Sequence, residues 1–427
     1  MRKCLLCILL LCAFPLVVAA QQTYIHCGNL IDGIAQTPRT EVTLIVENNI
    51  ITAVEEGYLE PEASTKLIDL KNKTVLPGFI DLHVHIQNQS SRDNYSKGFR
   101  LNDADVALEA TQYASITLMS GFTTVRDLGG DGINISLRNA INRGYITGPR
   151  IITAGKSIAT TGGHADPTNG LRKDLMGDPG PKEGVINGPD EARKAVRQRY
   201  KEGSDMIKIT ATGGVLSYAK DGSGPQFNDE ELIAIVETAN DYGMHTAAHA
   251  HGVEGMKRAV QAGITTIEHG TMMNEEIMDL MIEKGTYYVP TITAGRSVAD
   301  SAKIRGYYPS IIVPKALEIG PKIQDTFSKA YQRGVKIAFG TDAGVFDHGK
   351  NAKEFGYMVE AGMPAIEAIQ SATVTAAEVL GMKDQLGAIE ANKLADIVAV
   401  DGDPLEDISV LENITFVMKD GKVYKHE

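Results

Sequence analysis

Between about residue 78 and residue 362, short apolar, β-branched runs alternate with longer stretches whose apolar positions recur every three or four residues. The first pattern suits a buried strand and the second an amphipathic helix. Strands are predicted at 79–85, 122–127, 150–154, 205–210, 245–250, 265–269, 287–291 and 335–341. Helices are predicted between them, at 103–119, 189–202, 229–242, 253–262 and 275–284, with a long connection after the seventh strand. Gly121, Gly203, Gly243, Gly263, Gly285 and Gly334 each stand just before the next strand, where glycine suits a left-handed helix cap. Asn228 and Glu231 have the spacing of a capping box.

Eight alternations predict a (β/α)8 TIM barrel, an α/β fold whose active groups belong at the C-terminal strand ends. An open doubly wound sheet is the competing arrangement. It would hold the ends of the first and eighth strands too far apart for residues on both to meet. The flanks differ in texture, with strand-like runs at 43–46, 50–54, 66–69, 397–400 and 415–419. Their similar lengths and turns predict that 21–76 and 385–427 form one small composite β-sandwich around a barrel spanning 77–384.

Composition changes this picture only at the start of the chain. Across 427 residues, 43% hydrophobic and 22% charged is an ordinary globular balance and argues against disorder. Arg2 and Lys3 precede an uncharged run from Cys4 to Ala20, and Ala19-Ala20 supplies a small-residue cleavage point. Residues 1–20 therefore read as a secretory signal peptide, with an uncleaved anchor as the competing reading. Export across the inner membrane to the periplasm or the medium is expected, with no membrane contact after cleavage. The leader would carry off Cys4, Cys7 and Cys12, and Cys27 alone cannot form an internal disulfide. A formal net charge of −12 makes nucleic-acid binding a poor expectation.

The chemistry lies at the strand ends. Asp81-Leu82-His83-Val84-His85 places two imidazoles at i and i+2, so a strand turns both to one face. Neutral imidazole is a good ligand for zinc and its neighbours. His249 lies near the end of strand five, His269 ends strand six and Asp342 follows strand eight. One histidine is more often structural than a ligand, but this convergence points to a metal site. Lys208 ends strand four among apolar neighbours, where desolvation favours the neutral amine. A neutral amine can react with carbon dioxide, and the resulting carbamate would bridge two cations. A snorkelling side chain or a salt bridge is the plainer alternative.

These residues, with Pro77-Gly78-Phe79-Ile80-Asp81, Thr341-Asp342-Ala343-Gly344 and the tail from Gly387 to Val398, resemble the amidohydrolase superfamily over essentially the whole mature chain. Thr161-Gly162-Gly163-His164 and Gly213-Gly214-Val215-Leu216-Ser217-Tyr218 resemble its imidazolonepropionase-like branch, which includes Xaa-Pro dipeptidases, carboxypeptidases and ochratoxin-degrading amidohydrolases. The resemblance implies two divalent metal ions, zinc first among the candidates. His83, His85, Lys208 and Asp342 would hold one, and carbamylated Lys208, His249 and His269 the other. It also implies that Asp342 is general base and then acid, with a ligand-only role as the alternative. His164 is a candidate for steadying the carbonyl or its oxyanion, with a structural loop histidine as the alternative. Tyr218 would help bind a substrate carboxylate, with a packed loop aromatic as the alternative. Arg296 and Arg305 are weaker carboxylate candidates. His245, His251 and His348 are expected to be supporting or structural, and Glu268 to point away from His269.

The leading expectation is hydrolysis of a dipeptide or N-acyl amino acid, by a chain that assembles into homo-oligomers as relatives of this branch do. Cyclic-amide hydrolysis or deamination is the alternative within the superfamily, and a catalytically inactive binding scaffold the alternative outside it. Lys208 separates the first two, because mononuclear deaminases generally do without a bridging carbamate.

Overall fold

The computed structural model describes residues 22–61, 65–219 and 222–427. The leader expected over 1–20 lies outside them. Both flanks enter one seven-stranded sheet, built from β1 (Gln22–Leu30), β2 (Arg39–Glu47), β3 (Ile50–Glu56) and β4 (Lys66–Pro77), then β14 (Ile397–Val400), β15 (Ile414–Lys419) and β16 (Lys422–His426). Their order across the sheet is β16-β15-β14-β4-β1-β2-β3. Before β14 the chain also runs along β3, with Ile51 N–H donating to Lys393 O at 2.8 Å and Ala395 N–H to Asn49 O at 2.8 Å. The sheet thus curls on itself and encloses a core containing Ile25, Leu44, Ile68, Ile397 and Phe416.

β4 runs into β5 (Phe79–Val84), the first barrel strand, through Gly78. A Cβ at Gly78 would come within 2.3 Å of Thr123, so only glycine lets the chain turn this close to the second barrel strand. Next come β6 (Phe122–Asp127) and β7 (Arg150–Thr153), then a short side pair of β8 (Ala159–Thr160) and β9 (Val185–Ile186). β10 (Ile207–Thr210), β11 (Thr246–Ala250), β12 (Thr266–His269) and β13 (Tyr287–Val289) follow in parallel. Ile158 joins the halves, donating its N–H to Lys208 O at 2.8 Å while its carbonyl accepts from Thr210.

Seven of the eight predicted barrel strands are regular strands within a few residues of expectation. The eighth, 335–341, is not: it makes only bridges such as Tyr288 with Ile337. Its backbone pairs with β13 at one end, through Ala338 N–H to Tyr288 O at 2.9 Å. At the other end it serves β5, accepting from Leu82 N–H at Phe339 O, 3.0 Å, and donating from Asp342 N–H to His83 O, 2.6 Å. That division closes the barrel without a continuous ladder.

The five predicted helices are present, and Asn228 and Glu231 exchange both capping-box hydrogen bonds at 2.9 Å. The long connection after β13 is itself helical, at Ile292–Ala302, Ile312–Ile319 and Lys322–Arg333. Barrel and sheet are joined through Arg150, whose guanidinium pairs with Asp396 at 2.7 Å and with Asp420. Asp396 is nearly enclosed, and breaking a buried pair strands the partner's charge. Arg150→Met is expected to lower stability by about 3 kcal/mol, read as a fall in the urea midpoint followed by circular dichroism.

Candidate metal centre

At the C-terminal ends of the strands lies a cavity of about 260 Å³. His83, His85, Lys208, His249, His269 and Asp342 all line it, as do His164 and His251. The ring centroids form a chain of contacts: His83 to His269 at 5.0 Å, His269 to His249 at 4.6 Å, and His249 to His164 at 4.3 Å.

Hydrogen bonds behind the rings decide which nitrogen is free. His83 Nδ1–H donates to Glu268 Oε2 at 2.9 Å, and His85 Nδ1–H to the Gly129 carbonyl at 2.8 Å. Each therefore turns its Nε2 toward Asp342 Oδ1, at 3.5 and 3.3 Å, so that the nitrogens and the carboxylate face a common point where a cation would sit. His249 is turned the other way: Nε2–H donates to Gly213 O at 3.1 Å, which frees Nδ1. His269 is oriented by Thr291 Oγ1, 2.8 Å from its Nδ1.

Electrostatics keeps these donors available. Burial pushes His83 down to about 4, and holds His249 and His269 well below the ordinary imidazole value. Burial would lower His85 too, but the adjacent Asp342 carboxylate raises it. Lys208 falls to about 8, chiefly through burial. For Asp342 burial works upward, yet His83, His85 and Lys208 together hold it below the usual carboxylate value.

The donor set fits a divalent cation. Ligand atoms of His83, His269 and Asp342 lie within 4.8 Å of one another, and Asp342 Oδ1 is buried with no hydrogen-bond partner. A buried carboxylate oxygen left unpaired is costly unless something positive meets it. His85, His249 and Lys208 face the same space but stand outside that tightest group.

Backbone strain gathers at the same place. His269, Thr291 and Asp342 have φ of +70°, +56° and +62°, a region that costs a non-glycine residue roughly 1–3 kcal/mol. This accounts for an arrangement that strand alternation does not predict. Glu268 reaches His83 inside the barrel, while His269, leaving the strand with a left-handed turn, also meets the cavity. Glu268 pairs with Arg126 at 2.8 Å as well, and accepts from Thr266 Oγ1. Its carboxyl sits at about 2: burial opposes this, and Arg126 and His83 outweigh it. The sequence signal for the Arg126–Glu268 pair was an opposite charge in each of two strands whose residues are all buried.

The remaining candidates divide. His164 lines the cavity with its Nδ1 buried and unpartnered, and its ring lies so close to Gly214 that a Cβ there would come within 2.2 Å. Tyr218 does not line it; the ring stands edge-on to Tyr95 at 5.6 Å and packs on Gly170. Arg296 is engaged elsewhere, with Glu360 at 3.0 Å and over the Tyr357 ring, and Arg305 is exposed. His348 bonds the Asn88 carbonyl away from the cavity, whereas His251 forms part of its wall.

A closed barrel with a composite terminal sheet, and imidazoles gathered at the strand ends, defines a barrel hydrolase. Residues 74–424 match the Amidohydrolase family, and the chain belongs to it: a hydrolase acting on amide bonds, in a family that is typically metal-dependent. It is 33% identical to ochratoxinase of Aspergillus niger, over 96% of this chain and 89% of that protein. A solved Xaa-Pro dipeptidase with bound methionine in its active site is 55% identical with a TM-score of 0.93, covering 95% of this chain and 100% of its own. A prolidase complexed with N-methylphosphonate-L-proline is 31% identical with a TM-score of 0.88, at the same coverage.

Glu268→Gln keeps the shape but removes the charge that fixes His83. Metal affinity is expected to fall about 10–100-fold, measured by competition with a chromogenic chelator.

Proposed function

We propose that this protein hydrolyses the amide bond of a dipeptide or small N-acyl amino acid at a centre of two divalent metals, zinc first among them. The observation that carries this reading is the convergence of six donors on one cavity, with Asp342 Oδ1 unpartnered. Relatives described as a Xaa-Pro dipeptidase, a prolidase and an ochratoxinase support it, because each name implies an amide joined to an amino acid.

His83, His85, Lys208 and Asp342 would hold one cation, and Lys208, His249 and His269 the other. Such cations supply Lewis acidity and lower the pKa of a water toward ~7. Lys208 contributes as a carbamate: its neutral amine attacks carbon dioxide, forms an N–C bond and releases one proton. The buried amine, lowered to about 8, is suited to that step. Asp342 accepts the proton of the attacking water and delivers it to the leaving amine. His164, held neutral mainly by burial, donates its ring N–H to the substrate carbonyl oxygen as negative charge develops.

A panel of dipeptides and N-acyl amino acids tests the reading. Release of the free amino acid is expected; ammonia release without it would favour deamination instead. Lys208→Ala is expected to lose both bound metal and turnover, read by elemental analysis and by the same assay. Below about pH 8 the Lys208 ammonium has no lone pair, and above it the amine is free. Reactivation of metal-stripped enzyme at fixed dissolved CO2 is therefore expected to quicken about tenfold between about pH 7 and 9.

A further inference from the structure

We propose that the helices after β13 and the loop after β10 form a selectivity pocket, which admits an uncharged apolar side chain on the amino acid next to the scissile bond. This rests on the amide-hydrolase reading and names the substrate class within it. Lys208 and Asp342 are the only Lys, Arg, Asp or Glu side chains that line the cavity among the described residues, and both belong to the donor cluster. On the side formed by those helices and that loop, the wall carries only apolar residues. Val215 and Leu216 come from the loop, Val298, Ile319 and Ile323 from the helices, and Val345 from the turn after Asp342. A charged substrate side chain would lose its water here and find no opposite charge, whereas an aliphatic one is favoured by burial.

The pocket is also fixed in shape. Val215, Val298 and Ile319 share one apolar cluster, with Leu216 and Val345 packed on it. Lys315 donates from Nζ to Gly214 O at 3.0 Å, Ser217 O at 2.7 Å and Ala219 O at 3.0 Å, and so ties the helix Ile312–Ile319 to the loop. Gly295 and Gly320, which also line the cavity, meet backbone to backbone: a Cβ on Gly320 would lie 2.5 Å from Gly295 O. A wall held this way cannot easily swing aside to bring water or a counter-charge to a polar side chain.

The test compares kcat/KM of the metal-loaded enzyme on dipeptides Ala-Xaa, with leucine, methionine, lysine or glutamate as Xaa. Leucine and methionine are expected to exceed lysine and glutamate by about 100-fold or more. Comparable rates for lysine or glutamate overturn the proposal and leave the hydrolase reading intact. No turnover on any member overturns the hydrolase reading instead. Calorimetric titration with the free amino acids then decides the pocket alone: leucine binding with lysine and glutamate excluded supports it, and any other order overturns it. Ile319 closes its helix, where an ammonium is tolerated by the helix dipole. Ile319→Lys is expected to raise kcat/KM on Ala-Glu at least tenfold and to lower it on Ala-Leu; an unchanged ratio also overturns the proposal.

Discussion

Inside the barrel, away from water, the carboxylate of Glu268 is held between the Arg126 guanidinium and the His83 ring. Removing any of the three would leave a charge or a polar nitrogen stranded in a low-dielectric core. The pairing spans strands β5, β6 and β12, so it fixes their relative placement as it fixes the His83 tautomer. With Nδ1 committed to Glu268, Nε2 is what remains for the cavity. The donor cluster thus stands on a network of buried charge.

The strand ends supply the second constraint. A regular parallel strand alternates its side chains, which would send neighbours such as Glu268 and His269 to opposite faces. The left-handed backbone at His269 breaks that rule where both groups are needed, and Thr291 and Asp342 adopt the same conformation beside it. Such strain persists because the surroundings over-determine it. Thr291 precedes the helix Ile292–Ala302, whose first N–H groups, at Ile292 and Thr293, are held by buried Glu354 at 2.7 Å. The orientation of His269 therefore depends on a buried carboxyl group, raised to about 8 by its burial, that does not line the cavity.

Specificity and chemistry come from different parts of the chain. Barrel strands carry the donors, which suits groups that must be placed within tenths of an ångström. The aliphatic wall comes from helices and a loop outside the barrel, joined to each other by Lys315. A change in that wall leaves the donor cluster untouched, so one barrel can keep its chemistry while its substrate changes.

Much of this was legible in the linear sequence. Strand and helix periods are short-range consequences of backbone geometry, and they marked seven barrel strands and five helices. His83, His85, Lys208, His249, His269 and Asp342 could be singled out together because they recur within or just after such periods, and all six line one cavity. Asn228 and Glu231 were legible because a capping box is local. The irregular eighth strand, the Glu268–His83 pair and the inward His251 were not, and Tyr218, read either as a substrate contact or as a packed loop aromatic, stands outside the cavity lining. His83 and Glu268 lie 185 residues apart, and no local pattern records a partner at that distance. Which residues are chemically able to act is a property of their type and period. Which of them meet, with which nitrogen free and against which wall, was decided only when the barrel closed and removed the water between them.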